Sequence, residues 1–300
     1  MNIEYQSFIA EDGAEIKYVE LGAGPALVFV IGFGETVQTS ISFLTRLSER
    51  FRCYAFDHRG FGESPSSADV GIDRSARDLH ALLDSLQLES TSLVGYSMGG
   101  SVAFSYFRQF GGARISKLVL TDTSPKLINE DGWELGLWQG RYKRADFERD
   151  LETLVSNPSL FHMQFYLRAA TRSPLAAPPS FPAYDDEAGW LDRVVEHTGV
   201  KERFIRRVFY PTRTREFCAT ERKYWDSMTG ADNLSSVSAI NTPTLCLFAD
   251  PGSFYSPLTG QWLVDHIPDA RLATIANACH VFPKENVDEF VHKIQEFCLE

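Results

Sequence analysis

The sequence predicts an α/β protein with a doubly wound, mostly parallel sheet and a helical cap. Three observations carry that prediction. Short apolar runs rich in β-branched residues alternate with amphipathic helical patterns over the first 125 residues. The same alternation resumes near residue 242, and the stretch between carries only helical signals. Strands buried on both faces read as continuous apolar runs, and such strands joined through helices form a parallel sheet covered on both sides.

Taken in order, residues 7–10 and 15–20 flank the turn Glu11-Asp12-Gly13 and read as an N-terminal hairpin. Residues 26–31 are an unbroken apolar strand, and 52–56, 92–94 and 117–121 are similar. Helical patterns lie between them at 40–51, 74–86 and 98–110. In the second, Ala76, Leu79, Leu82, Leu83 and Leu86 recur at the three- and four-residue spacing of one helix face. After residue 122 the alternation stops. It returns with a strand at 244–248, a helix at 257–267, a strand at 271–275 and a last helix at 287–299. The expected organisation is therefore a core of residues 1–125 and 240–300 with a cap over 126–239. The cap is rich in aromatic residues and contains a Pro-rich loop at 173–179. An insertion of that kind reads as a lid over the C-terminal edge of the sheet, where ligands of open α/β sheets bind.

Composition narrows the function. At 300 residues, 44% hydrophobic and 23% charged, the chain has the balance of a globular protein with a large core. Its longest apolar runs fall well short of the roughly 20 residues that span a bilayer, so no membrane partner is expected. No basic, apolar and cleavage-site succession opens the chain, and the five cysteines show no paired or metal-type spacing. A reduced, cytoplasmic protein without disulfides or structural metal is expected. The net charge of −11 argues against a nucleic-acid partner. The charge is uneven, however. Residues 201–223 hold eight Lys/Arg against three Asp/Glu, either a solvated helix face or a surface for an anionic substrate or acidic partner.

Val94-Gly95-Tyr96-Ser97-Met98-Gly99-Gly100 lies where a buried strand turns into a helix. G-x-S-x-G in that context presents a serine hydroxyl on a sharp, strained turn, with glycines where strand and helix pass closely. The helix N-terminus behind it favours developing negative charge. Ser97 is the expected nucleophile.

On these residues the chain resembles the α/β-hydrolase fold family, and the resemblance spans essentially its whole length. It implies an eight-stranded sheet with the cap inserted after the sixth strand. Asp57-His58-Arg59-Gly60-Phe61-Gly62-Glu63-Ser64 is similar to the family's D-x-R-G-x-G-x-S turn and is expected to shape a loop through charge pairs. Acyl transfer needs two N–H donors for the tetrahedral oxyanion. The resemblance implies the amides of Met98 and of Phe33, in the loop after the first buried strand. The family usually has His-Gly at that turn where this chain has Ile31-Gly32. Of seven histidines, His280 follows the last strand at the place of the family's catalytic histidine, with Cys279 replacing a glycine. His162 and His197, in the cap, could touch substrate.

The acid is the open position. The family commonly has Gly-x-x-Asp after the strand at 244–248, where this chain reads Ala249-Asp250-Pro251-Gly252. Asp250 is the first candidate, and Asp122, at the end of the preceding core strand, the alternative.

The expected chemistry is hydrolysis of a carboxylic ester or thioester of a hydrophobic acyl substrate through an acyl-Ser97 intermediate, a reaction that requires no cofactor. Trp138, Phe161 and Phe165 are the expected substrate contacts, although aromatics at helical spacing are also ordinary core. The basic segment adds an acidic acyl carrier protein as a possible partner, as in the pimeloyl-carrier methyl esterases that the cap composition resembles. Lactonase, carbon–carbon bond hydrolase or perhydrolase chemistry on the same triad, and a ligand-binding pseudo-hydrolase, are the alternatives.

Overall fold

The computed structural model describes residues 4–170, 215–281 and 286–300. Eight strands form one sheet: β1 (Gln6–Ile9), β2 (Glu15–Leu21), β3 (Ala26–Val30), β4 (Arg52–Phe56), β5 (Thr91–Tyr96), β6 (Ile115–Thr121), β7 (Thr244–Pro251) and β8 (Ala270–Ala278). Their spatial order is β1-β2-β4-β3-β5-β6-β7-β8. The hairpin β1–β2 and the β2–β4 pair are antiparallel, and every other pairing is parallel.

Helices cover both faces. In β3, Val28 and Val30 point into one apolar cluster while Leu27 and Phe29 point into the other, the two-residue alternation of a pleated strand. Helix α1 (Val37–Leu47) packs on the second face, as does the C-terminal helix Val287–Leu299. Helices α2 (Ile72–Ser85) and α3 (Met98–Phe110) pack on the first. Helix α1 begins three residues earlier than its apolar pattern suggests because Thr36 caps it: the Thr36 side chain accepts from the amide of Thr39, and Thr39 Oγ1 accepts in turn from the amide of Thr36.

Between β6 and β7 the described residues form α4 (Arg144–Ser156), α5 (Pro158–Ala170), α6 (Arg215–Thr229) and a 3₁₀ turn at Leu234–Ala239. Helix α7 (Pro257–His266) follows β7, and α8 (Val287–Leu299) closes the chain. The Pro-rich loop at 173–179, His197 and residues 201–214 of the basic segment lie outside the described residues. Cys53, Cys246 and Cys298 are free thiols. Among the described residues no helix is long and apolar enough to cross a membrane.

Candidate active site

Strand β5 ends at Tyr96 and α3 begins at Met98, so one residue, Ser97, makes the whole turn. Its backbone sits at φ 54°, ψ −115°, a strained conformation for a residue with a Cβ. The flanking glycines permit it. A Cβ on Gly95 would come within 2.6 Å of the Gly99 carbonyl oxygen, and one on Gly99 within 2.1 Å of the Val30 carbonyl oxygen. Ser97 N–H is tied to the Thr121 carbonyl at 2.9 Å, so the neighbouring strand β6 holds the turn.

Ser97 Oγ lies 2.8 Å from His280 Nε2, and His280 Nδ1 lies 2.5 Å from Asp122 Oδ2. A carboxylate only accepts, so Nδ1 carries the proton and the Nε2 lone pair faces the hydroxyl. The imidazole is otherwise fixed by its own backbone and by aromatic rings. His280 N–H donates to Ser253 Oγ (3.0 Å), the His280 carbonyl accepts from Tyr96 Oη (2.6 Å), and the Phe254 ring lies 4.3 Å from the imidazole centroid. His280 and Asp122 are both buried.

The carboxylate that meets His280 is therefore that of Asp122, the alternative, and not of Asp250. Asp250 is exposed at the end of β7, where its backbone pairs with Ala276. Nor could position 252 carry the acid usual in such sites: Gly252 has φ 74°, and a Cβ there would come within 2.1 Å of the Tyr255 carbonyl oxygen. Asp122 itself adopts φ 43°, which an Asp tolerates better than most residues, and its Oδ1 accepts from Ala249 N–H at 3.3 Å. That bond orients the carboxylate from the β7 side.

The loop after β3 passes directly beside the serine: a Cβ on Gly32 would lie 3.4 Å from Ser97 Cβ. No described residue accepts from the amide of Phe33 or of Met98. The peptide linking Ile31 to Gly32 is held at both ends. Glu35 Oε2 accepts Gly32 N–H at 2.9 Å, and His58 Nε2–H donates to the Ile31 carbonyl at 3.4 Å. Ser75 Oγ lies 3.0 Å from His58 Nδ1 and donates to it, since Nε2 is the protonated nitrogen. Burial pulls His58 down to about 4, so the ring is neutral at physiological pH. Removal from water raises the Glu35 carboxyl above its usual range, against the opposing pulls of Gly32 N–H, His280 and Ser40.

A model of the alpha/beta hydrolase fold matches residues 25–287. The chain belongs to the α/β-hydrolase fold family. It is similar to a putative non-heme chloroperoxidase of Synechocystis, 33% identical over 138 residues, 43% of this chain and 49% of that protein. It thus spans about half the length of the first curated relatives it matches. An N-formylmaleamate deformylase of Pseudomonas putida is 25% identical over 96% of this chain and 94% of that one. Among solved structures, an esterase of Exiguobacterium antarcticum superposes with a TM-score of 0.79 at 17% identity, covering 99% of this chain and 100% of that one, a likeness of fold.

Other features expected from the family resemblance find their places around that centre. Asp57 shapes the loop after β4, accepting from the amides of Val37 (2.7 Å) and Glu63 (2.9 Å). Arg59 is fully buried between Asp78 and Asp12. Phe161 and Phe165 of α5 pack against Phe33 at 6.2 and 5.5 Å between ring centroids, with Trp225 of α6 completing the cluster and Phe254 touching Phe165 at 4.9 Å. The two residues thus bracket the Phe33 loop and leave little surface free, at 3% and 8% exposure. Trp138 is half-buried and faces Arg168. His162 is occupied by Glu221 at 2.7 Å, both buried within the cap helices. Glu35, Ser253, Phe254 and Arg168 lack a local motif, whereas His58 lies within the Asp57–Ser64 turn.

Proposed function

We propose that this hydrolase cleaves a carboxylic ester or thioester of a hydrophobic acyl substrate through an acyl-Ser97 intermediate. The observation that carries the reading is the unbroken hydrogen-bonded chain from Ser97 Oγ through His280 to Asp122. Ser97 Oγ attacks the carbonyl carbon as its proton passes to His280 Nε2. Asp122, accepting from Nδ1, stabilises the imidazolium that forms. The tetrahedral oxyanion is received by the amides of Met98 and Phe33 at the start of α3 and in the Ile31–Gly32–Phe33 loop. Collapse breaks the bond to the alcohol or thiol, which takes the proton from Nε2. Water then enters, gives its proton to Nε2 and attacks the acyl carbon; Ser97 Oγ leaves with that proton. The aromatic cluster of Phe33, Phe161, Phe165 and Phe254 supports an apolar acyl group, since it borders the loop that carries one donor.

The test is hydrolysis of p-nitrophenyl esters from acetate to dodecanoate by wild type and Ser97→Ala, with fluorophosphonate labelling in parallel. Activity and labelling that both vanish in the variant are expected. A folded wild type that neither turns over any ester nor takes the label would overturn the reading.

A further inference from the structure

Arg168, near the C-terminal end of α5, is buried to 9% exposure and stacks its guanidinium on the Trp138 indole, with Cζ 3.3 Å from the ring centroid. Its buried Nη1 has no hydrogen-bond partner among the described residues, and neither has the buried Nε1 of Trp138. Two donors thus sit side by side, out of water and unanswered. No described carboxylate forms an ion pair with the guanidinium. The acids that act on it through space are otherwise engaged. Asp150 accepts from the Tyr142 hydroxyl at 2.9 Å, and Asp146 accepts from Lys143 N–H and pairs with Arg149. Burial pulls Arg168 down to about 10, so it remains a cation at neutral pH. A buried guanidinium with a donor left unpartnered is costly, and native proteins leave few such groups without a purpose.

Its position supplies the purpose. The next residue, Ala169, accepts through its carbonyl from Ser253 Oγ (2.9 Å) and from Val281 N–H (3.3 Å), and Ser253 Oγ in turn accepts from His280 N–H. On the other side, Gln139, the residue after Trp138, donates its N–H to the Phe254 carbonyl at 2.8 Å, and Phe254 lies against the His280 imidazole. Both members of the pair are therefore one residue from backbone that contacts the loops around His280. Trp138 covers one face of the guanidinium, and an unpartnered Nη1 at the edge of a stacked guanidinium is a donor suited to a planar carboxylate.

We propose that Arg168 and the Trp138 indole N–H form an anion subsite beside the Ser97 centre, and that the substrate is an ester or thioester carrying a free carboxylate. The inference rests on the acyl-Ser97 reading for its reaction but not for its ligand. One monoanionic group balances one guanidinium, and the ester carbonyl lies at Ser97 while the carboxylate anchors the far end.

The experiment compares kcat/KM for mono-p-nitrophenyl glutarate against p-nitrophenyl pentanoate, and for O-acetyl-4-hydroxybenzoate against phenyl acetate, in wild type, Arg168→Met and Arg168→Lys. Wild type should favour the acidic member of at least one pair by about 10- to 100-fold, the size of a charge-assisted hydrogen bond to a buried partner. The favoured pair tells whether the acid sits on the acyl or the alcohol side. Arg168→Met should abolish the preference and Arg168→Lys restore part of it. Independently of turnover, glutarate should raise the melting temperature of wild type and of Ser97→Ala but not of Arg168→Met. Fluorophosphonate labelling of Ser97 without any carboxylate preference or glutarate shift overturns the subsite alone. Absence of labelling with a glutarate shift that depends on Arg168 keeps the subsite and overturns the hydrolytic reading. A lower melting temperature in Arg168→Met with the preference intact assigns the guanidinium a structural part and overturns the inference.

Discussion

Replacing Asp122 by Asn tests which carboxylate orients His280, and the structure dictates how the amide must sit. Asp122 Oδ1 accepts from Ala249 N–H, and Oδ2 faces His280 Nδ1. In the variant only the amide oxygen can satisfy Ala249 N–H, which turns the NH₂ group toward Nδ1. The ring must then accept at Nδ1 and carry its proton on Nε2, the wrong tautomer to receive the Ser97 proton. A tautomer inverted in this way costs about 10⁴-fold in kcat, or about 5.5 kcal/mol of barrier. The backbone should survive, because Asn tolerates positive φ as well as Asp does. Asp250→Asn, at an exposed position, should change kcat by less than about twofold. The assay is kcat and kcat/KM on a p-nitrophenyl ester, with the rate of fluorophosphonate labelling as a second readout and a thermal melt as the control for folding. A loss beyond 100-fold in Asp250→Asn together with a loss under tenfold in Asp122→Asn would refute the geometric argument.

Burial lowers His58 from about 6.5 to about 4, so the unfolded chain binds the extra proton across that window and stability must fall as pH drops from 6.5 towards 4. The loss is roughly 3 kcal/mol, and urea melts at several pH values should show it shrinking in His58→Asn. Glu35 has the opposite sense. Its carboxyl is raised, so its ionisation weakens the fold as pH climbs above the ordinary carboxylate range, and Glu35→Gln should flatten that part of the stability profile. Glu35→Ala, which leaves Gly32 N–H without its acceptor, should cut kcat by about tenfold more than Glu35→Gln does, since small displacements of positioning loops cost that much or more. Phe165→Ala should destabilise the protein by about 3 kcal/mol in urea melts, because its ring packs between Phe33, Trp225 and Phe254.

What the sequence displayed and what it withheld follow from the range of the forces involved. The alternation of buried strands and amphipathic helices is local, and it placed β3 to β8 within a few residues. The Ser97 turn was legible because G-x-S-x-G between a buried strand and a helix is a local pattern, and His280 because it follows the last strand. Which carboxylate meets His280 was not legible. Strands β6 and β7 are adjacent and in parallel register, with Leu120 opposite Cys246 and Asp122 N–H donating to the Leu247 carbonyl, so the ends of both strands border the same imidazole. Spacing along the chain cannot choose between them. The choice is made by backbone conformation at Asp122 and Gly252, which no residue count reveals. Arg168 was hidden for a related reason. Counting cations draws the eye to the dense segment at 201–223, whereas what distinguishes Arg168 is a missing partner, and partners are a property of the folded chain.

The Ile31–Gly32 turn shows how a departure from a family pattern can be compensated from a distance. Where the family pattern usually has a histidine before the glycine, this chain has Ile31, buried on the face opposite to Phe33. The peptide is instead steadied by His58 from the β4 loop and by Glu35 from its own turn. His58 is itself held by Ser75 of α2, whose hydroxyl lies 3.5 Å from that of Tyr224 in α6. The Phe33 side chain, one residue on, is clamped by Phe161 and Phe165 of α5 and by Trp225 of α6. Both supports of the loop therefore run to helices inserted between β6 and β7. On the acyl-Ser97 reading it follows that packing of α5 and α6 sets the orientation of the Phe33 amide as well as the shape of the space above it. Substitutions in α5 or α6 that loosen the aromatic cluster should therefore lower kcat as well as alter substrate range, since they act on the same few residues.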